Sequence, residues 1–126
     1  MTISSLIVDD DVSTRSTLAA MLRQLGYLQV QTAGNGVDAI LKCVEVRPDV
    51  IWLDIEMPGK DGFQTLQSLR MTRPEAFIAM VSGHGTMEYV KRSMELKANG
   101  FIVKPFSMAK VEGILKKYLH ETGRAG

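Results

Sequence analysis

Short apolar runs and amphipathic stretches alternate along this chain from end to end. Leu6-Ile7-Val8 is a continuous apolar run, the pattern of a parallel strand buried on both faces. Leu18, Met21, Leu22 and Leu25 follow at i, i+3, i+4, i+7, which predicts a helix with one apolar face, stopped by Gly26. Tyr27 to Ala33 alternates and predicts a second strand. After Gly34-Asn35-Gly36, the residues Val37, Ile40, Leu41 and Val44 repeat the helical spacing. Pro48 closes that helix, because proline disfavours helix in the residue before it. Val50-Ile51-Trp52-Leu53 predicts a third strand. A loop from Met57 to Gly62 leads to a short helix carrying Phe63, Leu66 and Leu69, which ends at Pro74. Phe77 to Val81 reads as a fourth strand. Met87, Val90 and Met94 mark one face of the next helix, terminated by Asn99-Gly100. Phe101-Ile102-Val103 is the fifth strand, and Met108, Val111, Leu115 and Leu119 line a last helix with Ser107 as its N-cap.

Five βα units with short connections predict an α/β fold, a parallel sheet with helices on both faces. The 126 residues fit one domain over 1–126, with a core from about 5 to 119 and a polar tail over 120–126. The net charge of +1 lacks the basic stripe of a direct nucleic-acid binder. Lys110, Lys116 and Lys117 read as a solvated helix face. No apolar run approaches the roughly 20 residues needed to span a bilayer, and no basic-then-apolar leader opens the chain. The lone Cys43 has no disulfide partner and no ligand neighbours at metal spacing, so it reads as a buried helix residue in a protein of the reducing cytoplasm.

In an open parallel sheet, sites form beyond the carboxyl ends of the strands. Here the first strand ends in Asp9-Asp10-Asp11, the third in Asp54, the fourth in Ser82, and the fifth in Lys104 followed by Pro105. Crowded carboxylates repel one another and call for a cation; magnesium suits carboxylates, waters and a phosphate oxygen. A carboxylate is also a competent phosphoryl nucleophile, and such transfer depends mainly on positioning and charge stabilisation. Lys104 pairs with Asp54 at rest and with a phosphate oxygen afterwards, and Ser82 donates to another phosphate oxygen. Asp11, at the start of the first helix, reads as its cap.

Four segments resemble the signatures of response-regulator receiver domains, with the single-domain chemotaxis regulators nearest. They are Leu6–Asp11, Leu53–Gly62, Val81-Ser82-Gly83 and Gly100–Phe106, and the resemblance runs from about Ser5 to Leu119. It implies a flavodoxin-like sheet of order 2-1-3-4-5. It implies that Asp54 is the phosphoacceptor, with Ser82 and Lys104 completing the reactive set. Mg²⁺ (or Mn²⁺) would be held by Asp9, Asp10, Asp54 and the backbone carbonyl of Glu56. The Lys104–Pro105 peptide is expected to be cis. Ser82 and Phe101 take the switch positions; Phe101, without a hydroxyl, is expected to be largely buried. Glu56 and His84 occupy positions that tune the access of water to the phosphoryl group, and Gly83 leaves room for it. The partners implied are a sensor histidine kinase or phosphotransfer protein, then a downstream protein or a second copy bound through the last two helices and the fifth strand. No output domain follows the last helix, so the chain acts by binding a partner or as one part of a larger regulator. The domain is a phosphoacceptor, not an enzyme with an external substrate.

Three rival motifs are present. Gly34-Asn35-Gly36-Val37-Asp38-Ala39 fits a dinucleotide-binding G-x-G-x-x-A with Asp54 about 20 residues on, but it leaves the acids of the first strand without a role. Asp9-Asp10-Asp11-Val12 resembles the start of haloacid-dehalogenase-type phosphatases, yet only Glu112 follows Lys104 where an acidic pair is needed. A calcium loop from Asp9 fails because Thr14 stands where Gly is required and Ala20 where a bidentate Glu is required.

Overall fold

The structure, a computed structural model, describes residues 2–59 and 61–124; Met1, Lys60, Ala125 and Gly126 lie outside the described residues. Ten elements alternate: β1 (Ser4–Val8), α1 (Val12–Gln24), β2 (Gln29–Ala33), α2 (Gly36–Val46), β3 (Val50–Asp54), α3 (Gly62–Thr72), β4 (Phe77–Ser82), α4 (Met87–Glu95), β5 (Gly100–Val103) and α5 (Met108–Thr122). The five strands form one parallel sheet of order β2-β1-β3-β4-β5, as the resemblance implies. Among the described residues, no helix is long and apolar enough to cross a membrane.

The two-residue period of the strands divides the core into two layers. Leu6, Val8, Ile51, Leu53, Ile78 and Met80 face the layer that receives Ala39 and Cys43 of α2 and Leu66 and Leu69 of α3. Ile7, Trp52, Ala79 and Val81 face the layer that receives Leu18 and Leu22 of α1 and Val111, Leu115 and Tyr118 of α5. Every residue of β3 and β4 is buried, which explains why they read as unbroken apolar runs. Gly100 belongs in the second row, across from Ala79. A Cβ there would meet the Ile114 side-chain tip of α5 at 3.1 Å, so glycine spares that side chain a small shift.

Two helices turn a different face inward from the one their longest apolar side chains mark. In α2, Val37, Leu41 and Val44 are 60–64% exposed, while Gly36, Ala39 and Cys43 are buried and Ile40 packs partly against the core. The small face lets α2 lie close to the sheet; hydrophobic spacing finds a stripe without saying which way it points. In α4, Met87 is 85% exposed and Met94 lies outward too. The inner contacts are Ser93, whose hydroxyl donates to Tyr89 O at 2.7 Å, and Tyr89, whose ring stands edge-on to Phe63 at 5.6 Å. Phe101 is more buried than exposed, packing partly against the first core layer from the edge strand β5. At the C-terminus α5 continues to Thr122, inside the stretch read as a tail. Arg124 then bonds to the Tyr118 hydroxyl at 2.6 Å and pairs with Asp49 at 3.1 Å. Lys117 reaches the Asn99 carbonyl and Lys110 the carbonyls of Val103 and Pro105, so these lysines do more than coat the helix.

Arg70 holds the end of the sheet remote from the acids. Its guanidinium donates to the carbonyls of Lys97 at 2.8 and 3.1 Å, Ala76 at 2.6 Å and Pro74 at 3.3 Å, and to Asn99 Oδ1 at 2.6 Å. Asn99 Oδ1 also accepts from Ile78 N at 2.8 Å, so one side chain joins α3, β4 and the turn after α4. Arg70→Ala would strand several acceptors and is expected to cost about 3 kcal/mol in urea unfolding. Arg70→Lys should rescue little of it, since an ammonium cannot span the fork.

Candidate functional site

The carboxyl ends of β1, β3, β4 and β5 deliver the predicted polar residues to one place. Asp9 follows β1 and is buried; its Oδ1 accepts from Asp11 N at 2.9 Å, which turns the chain into α1. Asp11 caps α1 as expected, accepting from Ser13 N at 3.3 Å and Thr14 Oγ1 at 2.7 Å. Asp10 is exposed beside them. Asp54, the last residue of β3, is 2% exposed. Beyond it the chain turns through Ile55, whose carbonyl accepts from Gly62 N at 3.0 Å. A Cβ on Gly62 would lie 2.3 Å from the Asp54 carbonyl oxygen, so only glycine lets α3 begin this close to the acid. A capping box between Asp61 and Gln64 fixes that helix start.

One lysine joins the two buried acids. Lys104 Nζ lies 3.0 Å from Asp9 Oδ2 and 3.4 Å from Asp54 Oδ1. The second approach is an ion pair without hydrogen-bond alignment, and Asp54 Oδ1 is left buried with no hydrogen-bond partner among the described residues. Lys104 is fixed by its own backbone, which donates to Ser82 O at 2.8 Å, and by a cis peptide to Pro105. Burial, reinforced by the Asp9 carboxylate, pushes the Asp54 carboxyl up to about 7 against the opposing pull of Lys104. Burial alone would lower the Lys104 ammonium, but the bond to Asp9 and the field of Asp54 outweigh it and hold it above its ordinary value.

Asp9, Asp10 and Asp54 each bring a carboxylate oxygen to within 4.8 Å of the others. Three hard oxygen donors with one lysine between them among the described residues fit a hard divalent cation.

Ser82 ends β4 and is fully buried. Its hydroxyl donates toward the Glu56 carboxylate at 2.9 and 3.0 Å and accepts from His84 N at 2.9 Å. Gly83 N donates to Glu56 Oε1 at 3.2 Å, and His84 Nδ1 lies 3.0 Å from the same oxygen. Burial would raise the Glu56 carboxyl, but the bonds from His84, Ser82 and Gly83 outweigh it and hold it below its ordinary value. The loop beside Gly83 is open: a Cβ there would meet nothing nearer than Glu56 Oε1 at 3.9 Å.

Of the predicted residues, Asp9, Asp10, Asp54 and Lys104 meet directly, and Glu56, Ser82 and His84 form an adjoining group. Phe101 lies apart, at the first-layer core beside β5. Arg15 was not foreseen: its Nη1 donates to the Asp9 carbonyl at 2.6 Å, closing the β1 end from behind. A lone cation on the first turn of α1 was the only trace of it in the sequence. The glycine-rich lookalike is spent on structure, with Asn35 Oδ1 capping α2 through Asp38 N at 2.8 Å.

Comparison with known proteins agrees with this geometry. Residues 5–116 match the family described as response regulator receiver domain. The chain is 36% identical over 112 residues to the chemotaxis protein CheY of Listeria monocytogenes, covering 89% of this chain and 94% of that one. It is 32% identical to sporulation initiation phosphotransferase F of Bacillus subtilis, covering 90% and 91%. Among solved structures it is similar to a CheX–CheY–BeF3–Mg²⁺ complex from Borrelia burgdorferi, with a TM-score of 0.86, 32% identity, and coverage of 95% and 89%. Neither the dinucleotide-binding nor the phosphatase reading gains support from these likenesses.

The burial of Asp54 has a measurable consequence. Its carboxyl binds a proton more tightly folded, at about 7, than unfolded, near 3.9, so folding takes up a proton between those values. Stability from this group is therefore full below about pH 4 and is lost as pH rises through about 7. In chelator, urea unfolding of the wild type should show that loss. Asp54→Asn should remove it and stabilise the protein at pH 8 by about 2 kcal/mol.

Proposed function

This chain belongs to the response regulator receiver domain family, and from that premise we propose that Asp54 accepts a phosphoryl group from a phosphohistidine. The carrying observation is the buried Asp54 carboxylate, with an oxygen that has no hydrogen-bond partner among the described residues, at a cluster of two further acids and a lysine. In the step, an Asp54 oxygen forms a bond to phosphorus while the phosphorus–nitrogen bond of the donor breaks, and the imidazole nitrogen keeps the electron pair. Asp9, Asp10, Asp54 and the Glu56 carbonyl would hold Mg²⁺ or Mn²⁺, which when bound supplies neutralisation of the charge gathering on the phosphoryl oxygens. Lys104 moves its bond from the carboxylates to a phosphoryl oxygen, and Ser82 offers its hydroxyl to another. Glu56 and His84, at the mouth of the site, set the access of water to the product.

The signal leaves by the same residues. Ser82 precedes the loop into α4, and Lys104 precedes the loop into α5. Drawing both toward roughly two new negative charges shifts the surface of Met87–Ala98, Phe101 and α5. The outward Met87 and Met94 make that surface apolar enough for a downstream protein or for a second copy. The phosphoryl donor is a sensor histidine kinase or a phosphotransfer protein, and the setting is the cytoplasm. The whole chain acts as one phosphoacceptor domain, whose only catalysis is of its own phosphorylation and dephosphorylation.

Incubation with acetyl phosphate and Mg²⁺ should add one labile phosphoryl group to the wild type by intact mass, and none to Asp54→Asn. Chelator should abolish the addition. Absence of addition to the wild type, beside a reacting control receiver, would overturn the reading. On activation, amide exchange should change across α4 and β5; unchanged exchange there would remove the proposed exit route.

A further inference from the structure

Glu56 does more at this site than border it. One carboxylate takes the Ser82 hydroxyl through both oxygens, at 2.9 and 3.0 Å, and takes Gly83 N–H and His84 Nδ1 on Oε1, at 3.2 and 3.0 Å. A carboxylate only accepts hydrogen bonds, so the His84 proton in that contact sits on Nδ1. Ser82 has a single hydroxyl hydrogen, and while Glu56 holds it, no phosphoryl oxygen can. Its lone pair is also engaged, by His84 N at 2.9 Å. The donors of the β4–α4 loop are thus already aimed at an anion, and the anion is the protein's own.

We infer that the Glu56 side chain is an internal competitor of the phosphoryl group, a latch that holds Ser82, Gly83 and His84 in the resting arrangement. The inference rests on Asp54 being the phosphoacceptor and adds what its phosphorylation must displace. A phosphoryl group on Asp54 brings about two negative charges near Glu56, which repel its carboxylate. It also offers the oxygens that Ser82 then serves. Formation of the phosphorylated state therefore includes breaking the latch, and the latch opposes the active loop in the unmodified protein. This role is separate from setting the access of water, because it acts on an equilibrium with no hydrolysis in it.

Beryllofluoride with Mg²⁺ is the probe, since it mimics a phosphoryl group without a covalent bond to hydrolyse. Glu56→Gln keeps the shape and loses the charge; Glu56→Ala removes the acceptor. Both should bind beryllofluoride more tightly than wild type, Glu56→Ala by about tenfold, the worth of one hydrogen bond to a charged group. In a Ser82→Ala background the same Glu56 substitutions should gain far less, because the hydroxyl they release is gone. Unchanged or weaker binding by both Glu56 variants would overturn the latch. So would an equal gain with and without Ser82, which would mark a general charge effect. Failure of the wild type and every variant to bind would instead strike the phosphoacceptor reading beneath it, and the latch with it.

Discussion

Three carboxylates crowded at the ends of β1 and β3, balanced by the lysine that follows β5, are the constraint around which this structure is arranged. Burial, and the neighbouring Asp9 carboxylate, impose a penalty on the charged form of Asp54. Lys104 relieves part of it, at 3.0 Å from Asp9 and 3.4 Å from Asp54. The parallel sheet is what makes the arrangement possible. Its strands all deliver their last residues to one edge, and β1, β3, β4 and β5 lie side by side there because β2 pairs on the far side of β1.

Holding such an edge needs rigidity elsewhere. The opposite end of the sheet is tied by arginines on carbonyls and on the carboxylate of Asp49. Arg70 spans α3, β4 and the turn after α4, while Asp49 accepts from Ser4 N at 2.9 Å and pairs with Arg124 at 3.1 Å. Between the two ends, β3 and β4 are buried throughout, and glycine at 62 lets α3 approach without clash. The reactive edge is strained electrostatically, and the packed core beneath it keeps that strain from being relieved by movement of the strands.

What the sequence disclosed follows from what is periodic or punctual in it. The continuous apolar runs of β3 and β4 and the polar residues that end them placed Asp9, Asp54, Ser82 and Lys104 at one edge without any contact being known. The orientation of α2 and α4 was not legible, because side-chain size rather than hydrophobicity decided it: Ala39 and Cys43 go in while Leu41 goes out. Arg15 on Asp9, and the Glu56 carboxylate on Ser82, join residues of different elements. No spacing along a chain encodes such a pair.

The same geometry explains why a charge added at Asp54 need not stay a local event. Ser82 and Lys104 are linked through the backbone, where Lys104 N donates to Ser82 O at 2.8 Å. Each stands immediately before a connection, one into α4 and one into α5. A displacement of either strand end is therefore passed to the other by a bond that a sheet resists losing, and both connections feel it together. The loop after Ser82 is the more yielding of the two. It is open at Gly83, whereas on the other connection the carbonyls of Val103 and Pro105 both accept from Lys110 of α5. The asymmetry points the larger movement toward α4. That short helix turns its methionines to the outside and packs inward mainly through Tyr89 and Ser93, the least anchored of the five on the sheet.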